Sequence, residues 1–346
     1  MIKYIGSKRV LIPTIVGLAN LIPKVSTVLD LFSGTSRVGK AFKEADYRVT
    51  ANDHLSYAYK LAQCYVEADK DKVAPKAEKF IKELNELSGI SGYFTETFCV
   101  QSKFFQPHNG ERIDAIRERI ATSSLDPIME AVLLVSLMEA ADRVDSTCGL
   151  QMAYLKDWAP RAKNELKLRL PAMVSGPGKA WNLDAIEAAG HEKFDLVYID
   201  PPYNQHRYLA NYHIWESLIK WDKPEVYGKA MKRIDVKEYH SDFNSKRRIG
   251  EAFQDMLDQV KAEYMIISFS NEGHLSKDTI LAMLEPKGET AWLDICHKRY
   301  IGSKIGIYNN IGDKVGKEGA SSNKEYIFLV GKNSKKIIAS YADIIS

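Results

Sequence analysis

Cysteine is scarce: four in the whole chain (Cys64, Cys99, Cys148 and Cys296), with no C-x-x-C pair among them. This argues against a disulfide framework or a thiolate zinc site and suits a reducing, cytoplasmic setting. No apolar run reaches the roughly 18 residues of a membrane-spanning helix. The eight histidines form no H-E-x-x-H, so no metal site is expected. Charge of one sign is also lacking. Lys and Arg number 48 and Asp and Glu 45, leaving +3, which permits a nucleic-acid partner without arguing for one. There is no internal repeat and no low-complexity tract. The N-terminus starts basic and turns apolar, a little like a signal peptide. Pro13 and Pro23 interrupt it and no small-x-small cleavage site follows, so secretion is not expected.

What is present is ordinary globular composition, 45% apolar and 27% charged over 346 residues. That length suits about two domains, or one with an insertion. Residues 25–53, VSTVLDLFSGTSRVGKAFKEADYRVTAND, read as a β-α-β unit. They give a buried strand at 28–32, a turn at 33–36, helical spacing of Val38, Ala41 and Phe42, and a second strand at 48–51. A helix is expected over 57–67, mostly helical structure over 70–180, and a loop at 171–178. Strand patterns return at 194–200, 264–270 and 325–331. The alternation predicts an α/β fold with an open, mainly parallel sheet. Residues 1–74 and 176–346 form its body, and 75–175 a mostly helical insertion.

The turn GTSRVGKA, residues 34–41, has two readings. Gly34, Gly39 and Lys40 match a phosphate loop, but Ala41 replaces the hydroxyl that would hold magnesium. Alternatively the turn holds a nucleoside cofactor. Asp30 lies within the preceding strand and Asp53 follows Gly34 by 19 residues, the spacing at which a carboxylate reaches ribose hydroxyls. Asp30 would repel an anion and attract a cofactor bearing an amino group, so the second reading is favoured.

Asp200-Pro201-Pro202-Tyr203 directly follows a buried strand, and ligands of open α/β sheets bind outside the carboxyl ends of strands. Consecutive prolines fix φ and offer carbonyls without competing N–H groups. An acid and a bare carbonyl are thereby held beside an aromatic ring. This suits methylation of an exocyclic amino group. The Asp200 carboxylate and the Pro201 carbonyl can accept the two N–H bonds of an adenine N6, and Tyr203 can stack on the base. A duplex base would have to be flipped out to reach such a pocket.

In their order, these elements resemble the adenine-N6 DNA methyltransferases, the Dam-like alpha class of restriction–modification systems. Lys3-Tyr4-Ile5-Gly6-Ser7-Lys8 is similar to the family's K-[WY]-x-G-[GS]-K, and Asp30-Leu31-Phe32-Ser33-Gly34 to its D-x-F-x-G. The resemblance covers about residues 1–70 and 180–346. It implies S-adenosylmethionine as methyl donor and a seven-stranded, Rossmann-like methyltransferase sheet with one antiparallel strand. It puts Tyr4 against the cofactor and Lys8 near its carboxylate. Asp30, Phe32, Ser33 and Gly34 would line the methionine and sugar, Asp53 would hold the ribose, and Asp184 would bond the cofactor's adenine. It further implies double-stranded DNA as substrate, a possible cognate restriction endonuclease, and a bacterial or archaeal cytoplasm; a monomer is the simplest assembly. Ser36 departs from the family, which usually has glycine there. Cytosine-N4 enzymes usually carry Ser in place of Asp200, and RNA or protein relatives Asn.

Candidate DNA contacts follow the D-P-P-Y element: Asn204, His206, Arg207 and Tyr208, continuing through Asn211, Tyr212 and His213. Lys246 and Arg247 form a second basic cluster suited to phosphates, and His297 to Tyr300 a third. The alpha-class order puts target recognition in 75–175. There Gln101, Lys103, Gln106, Asn109 and Arg112 are possible base readers.

Overall fold

The computed structural model describes residues 1–152, 154, 157–298 and 322–345. Seven strands form the main sheet: β1 (Thr27–Asp30), β2 (Arg48–Asn52), β3 (Gly178–Trp181), β4 (Phe194–Ile199), β5 (Ala262–Ser270), β6 (Thr290–Lys298) and β7 (Ser322–Val330). Their spatial order is β3-β2-β1-β4-β5-β7-β6. Neighbours from β3 through β5 pair in parallel, whereas β7 runs antiparallel to both β5 and β6. This is the seven-stranded mixed sheet with one antiparallel strand that the resemblance implied. The order reverses between β1 and β4, so the two strands that end in acids lie side by side at the switch point, where open sheets hold ligands.

Among the described residues, the α-helices of seven residues or more are α1 (Ile12–Leu21), α2 (Arg37–Glu44), α3 (Ser56–Ala62), α4 (Lys70–Asn85), α5 (Pro107–Ala121), α6 (Pro127–Val144), α7 (Ala185–His191), α8 (His213–Lys220), α9 (Ile249–Gln259), α10 (Lys277–Leu284) and α11 (Ser334–Ile345). On one sheet face, residues of α1, α2 and α11 cluster with Val28, Leu196 and Ile266. On the other, α7, α9 and α10 cluster with Leu29, Val197 and Ile267. A third cluster joins α3, α4, α5, α6 and α8 and takes in Ile2. The helical segment therefore shares its core with α8, which follows the D-P-P-Y element.

Several expected elements differ in extent. Strand β1 stops at Asp30, and α3 passes into one wide π turn at Gln63–Glu67. Regular helix ends at Val144 rather than near 180. The elements that the sequence reading did not name include α1, β3 and β6. Helix α1 was obscured by Pro13, which sits in its first turn, where proline costs no hydrogen bond. Strand β3 reads GKAW, with no apolar run to announce it. Gly178 is required there, because a Cβ would lie 2.2 Å from the Val66 carbonyl oxygen. Strand β6, TAWLDICHK, lies at the sheet edge and alternates more buried with exposed residues from Ala291 to Cys296, Trp292 among the exposed ones.

Candidate active site

The carboxyl ends of β1, β2 and β4 open onto a cavity of about 640 Å³, within the ordinary range for ligand sites. Asn52, the last residue of β2, ties these ends together. Its side-chain amide donates to the carbonyls of Leu31 and Leu183 (both 3.2 Å) and its oxygen accepts from the Leu183 N–H (3.1 Å). The sequence reading missed this residue, although a polar residue ending an apolar strand was the available signal.

Asp30 ends β1 and is 1% exposed. Its Oδ2 accepts from the Gly39 N–H at 2.8 Å. Burial pushes its carboxyl up to about 7; the Gly39 bond opposes this, while the charges of Asp200 and Asp53 add to it. Asp53 accepts from the N–H groups of Gly34 (2.9 Å) and Leu55 (3.0 Å). Burial raises it to about 6 against those two bonds. Gly34 (φ +50°) and Ser36 (φ +56°) both take left-handed conformations. Ser36 thus keeps the backbone shape that the family's glycine would adopt freely.

The phosphate-loop reading fails here. Lys40 is turned to Glu44, 2.5 Å away and one helical turn on, and does not line the cavity. Gly39 exists for another reason: a Cβ there would lie 2.9 Å from Asp30 Oδ2 and 3.1 Å from Val66 Cγ2.

Tyr4, Lys8, Phe32, Ser33 and Asp184 line the same cavity as Asp30, Gly34 and Asp53. Phe32 meets Phe243 edge-on at 5.2 Å between centroids. Asp184 caps α7 by accepting from Ile186 N–H at 2.9 Å. Lys8 is only 6% exposed, and its Nζ lies 3.0 Å from Asp200 Oδ1 and 3.6 Å from Glu325 Oε2. The ammonium expected near a cofactor carboxylate is thus paired with the acid of D-P-P-Y. The N-terminal segment carrying Tyr4 and Lys8 is anchored by Lys3, whose Nζ donates to the Asp142 carbonyl (2.6 Å) and to Asp145 (2.9 Å).

Asp200 follows β4 directly and keeps 18% of its side chain exposed. Burial pushes its carboxyl up to about 6, opposed by Lys8 and reinforced by Glu325. Pro201 is buried, and Pro202 lines the cavity. Tyr203 departs from expectation. Its ring packs on Phe269 at 5.0 Å, its hydroxyl lies 3.4 Å from both Lys8 Nζ and Glu325 Oε1, and it is not among the cavity-lining residues. Among the rings that do line the cavity are Tyr4 and Tyr208, stacked at 5.2 Å and 14°, with Tyr212 behind them on Tyr4 at 4.5 Å.

Several expected DNA contacts prove structural. Tyr208 belongs to this stack. Arg207 donates to the carbonyls of Val236 and Tyr239, holding the loop whose residues 238–244 form one cavity wall. The sequence reading did not identify that wall. Asn211, Tyr212 and His213 are interior; the His213 ring bonds the Gln151 carbonyl, and burial lowers its pKa to about 3. Asn109 is fully buried and bonds the carbonyls of Ala162 and Asn164, while Arg112 bonds those of Leu87 and Asn85. Gln106 occupies the N-cap position of α5 without a side-chain capping bond, and Gln101 bonds Glu96. Lys103 is exposed. Asn204 is half-buried and its oxygen accepts from the His206 N–H at 3.0 Å; His206, Lys246 and Arg247 are exposed. The cluster at 297–300 lies outside the residues whose side chains are described.

A sheet of this order, with acids ending β1 and following β2 and β4 around one cavity, defines a Rossmann-like methyltransferase fold. The model of the D12 class N6 adenine-specific DNA methyltransferases matches residues 4–283, and the chain belongs to that family. It is similar to the type II methyltransferase M.FokI of Planomicrobium okeanokoites, 33% identical over 96% of this chain and 53% of that protein. It is 30% identical to modification methylase StsI of Streptococcus sanguinis, over 85% of this chain and 47% of that one. The chain thus spans about half the length of these two relatives. Against the type II methyltransferase M.NlaIII of Neisseria lactamica it is 29% identical over 88% of this chain and 90% of that one.

Proposed function

We propose that this chain transfers a methyl group from S-adenosylmethionine to the N6 amino group of an adenine flipped out of double-stranded DNA. The observation that carries the reading is the placing of Asp200 at the end of β4, in one cavity with Asp30 and Asp53. The donor set fits the cofactor. Asp30 is a buried acid suited to an amino group, and Asp53 a carboxylate beside Gly34 suited to ribose hydroxyls. Asp184 at the start of α7 suits an adenine amino group, and Gly34 leaves room beside Tyr4, where a Cβ would come within 3.3 Å of the ring.

When bound, S-adenosylmethionine supplies an electrophilic methyl group on a sulfonium sulfur. The protein's part is positioning and electrostatics. Asp200 and the Pro201 carbonyl accept the two N–H bonds of N6, drawing its lone pair out of conjugation with the ring. Lys8 holds the Asp200 carboxylate in place. Exposed Lys246 and Arg247 meet DNA phosphates, and the segment 75–175 reads the target sequence. The relatives' names, type II methyltransferase and modification methylase, support a modification role; a cognate restriction endonuclease and a bacterial or archaeal cytoplasm belong to the same proposal. A monomer is the simplest assembly for this reading.

The test is transfer of labelled methyl from S-adenosylmethionine to unmodified plasmid DNA, digested to nucleosides. Label in N6-methyladenosine, lost in Asp200→Ala while S-adenosylhomocysteine still binds, is the expected result. Label in N4-methylcytidine would overturn the base assignment. No label on DNA with cofactor binding intact would overturn the substrate.

A further inference from the structure

The D-P-P-Y element accounts for Asp200 and Tyr203, and the N-terminal motif for Lys8. Neither accounts for Glu325. This acid lies on the antiparallel strand β7, paired in register with Ser270 of β5, and its side chain is only 7% exposed. A carboxylate so placed is costly to desolvate unless it is well paired. Two of its contacts converge on one place: Oε2 lies 3.6 Å from Lys8 Nζ and Oε1 3.4 Å from the Tyr203 hydroxyl. Lys8 in turn lies 3.0 Å from Asp200 Oδ1. One ammonium is therefore shared by two carboxylates, and only Asp200 borders the cavity.

We propose that Glu325 is a positioning residue for methyl transfer: by sharing Lys8 with Asp200 it sets where the ammonium sits and how much of the Asp200 charge remains for the base. The inference rests on Asp200 accepting the amino group of that base. With Glu325 in place, Lys8 is held between the two acids, and Tyr203 closes the ring of contacts. Without its charge, Lys8 pairs with Asp200 alone. The carboxylate becomes less basic and a weaker acceptor for N6.

The groups that face Asp200 set the sign. They are Lys8 from the N-terminal segment, Glu325 from β7, Tyr198 from β4, Asp30 from β1, and Tyr203 and Tyr208 beyond the strand. Of these Lys8 lowers the Asp200 carboxyl and Glu325 raises it. Removing the negative charge must therefore carry Asp200 to lower pH.

The experiment is the pH profile of single-turnover methyl transfer by full-length enzyme saturated with S-adenosylmethionine and DNA. Saturation keeps protonation of Asp30 and Asp53 from entering through lost cofactor. In Glu325→Gln the plateau rate falls severalfold and the acid limb moves down by about one pH unit, the usual size for a like charge removed at this range. Glu325→Asp, which keeps the charge, leaves the limb near that of the wild type. Lys8→Gln moves it the opposite way, so the sign is tested even if one variant folds poorly. S-adenosylhomocysteine affinity is unchanged in both Glu325 variants, because residue 325 does not line the cavity. An unmoved limb in Glu325→Gln, or an equal shift in Glu325→Asp, overturns the proposal. A wild type that forms no N6-methyladenosine overturns the underlying reading of the site, and this inference with it.

Discussion

Replacing Gly39 with alanine tests why the turn carries a glycine. In an unconstrained helix the change would stabilise by about 1 kcal/mol. Here the new Cβ would stand 2.9 Å from Asp30 Oδ2 and 3.1 Å from Val66 Cγ2. Asp30 cannot retreat with its backbone, because β1 is paired on one side with β2 and on the other with β4. Either the carboxylate turns away or α2 shifts. Overpacking of this kind costs about 1–3 kcal/mol, and weakening the 2.8 Å Gly39–Asp30 bond to a charged acceptor costs about 1.5–3 kcal/mol. Less the gain in helix propensity, the net loss is on the order of 2–4 kcal/mol. Because Asp30 is proposed to meet the cofactor's amino group, S-adenosylhomocysteine affinity should fall by at least about tenfold, the equivalent of ~1.4 kcal/mol. Thermal melting and calorimetric titration of the purified variant read both effects. A raised melting temperature with unchanged affinity would show that position 39 is an ordinary helix site and refute the packing argument.

Asp30→Asn should stabilise the ligand-free protein while weakening cofactor binding. The folded carboxyl, at about 7, lies above its ordinary value of 3.8, so its contribution to stability is full below about pH 4 and is lost as pH rises through 7. The variant should therefore melt higher than wild type at pH 8 and alike near pH 4; equal melting at pH 8 would refute the burial argument. Arg207→Ala removes the donor to Val236 and Tyr239 and should speed hydrogen exchange across 234–244 and weaken S-adenosylhomocysteine binding. Unchanged exchange would show that the loop is held by other contacts. Changing Lys246 and Arg247 together to alanine should lower the salt dependence of DNA binding by roughly two phosphates' worth, about 0.9 each in log–log slope. Cofactor affinity should stay constant, and an unaltered slope would remove this cluster from the DNA path.

The sequence made the sheet's centre legible because its strands are short apolar runs that end in acids. Strands β1, β2 and β4 carry that pattern, and the order of the acids placed them around one crevice, while β5 and β7 were legible from their apolar runs alone. The edges were not legible for physical reasons. Strand β3 is held by backbone pairing and by the close approach of Val66 to Gly178, neither of which needs apolar side chains. The site divided in the same way. Asp30, Asp53 and Asp200 could be read because each follows or ends a strand. Tyr203 and Arg207 could be named but not aimed, since a tyrosine beside a proline pair or an arginine in a polar loop can face either way. Only packing sent Tyr203 to Phe269 and Arg207 to backbone carbonyls. Glu325 stood in plain view as the first residue of an apolar strand pattern, and nothing local distinguishes such an acid from a solvated strand end.

The electrostatics of the cavity join these parts. Asp30, Asp53 and Asp200 are each pushed well above the ordinary carboxylate value, burial being the largest cause in all three. Three half-desolvated acids around one space are a liability for a protein that only has to fold, since each would be accommodated more cheaply as an amide or an apolar side chain. The arrangement has a rationale if the space receives positive charge and amino groups. A sulfonium, an α-amino group and an exocyclic amine are ligands of that kind, whereas a polyphosphate is not. The same argument separates Lys8 from the phosphate-loop lysine that Lys40 resembled. Lys40 is half-buried and turned to Glu44, while the buried Lys8 ammonium pairs with Asp200, the acid proposed to stay ionised beside the base. Under the proposed function, binding chemistry and reaction chemistry divide along the sheet, with Asp30 and Asp53 on the β1–β2 side and Lys8, Asp200 and Glu325 on the β4–β7 side.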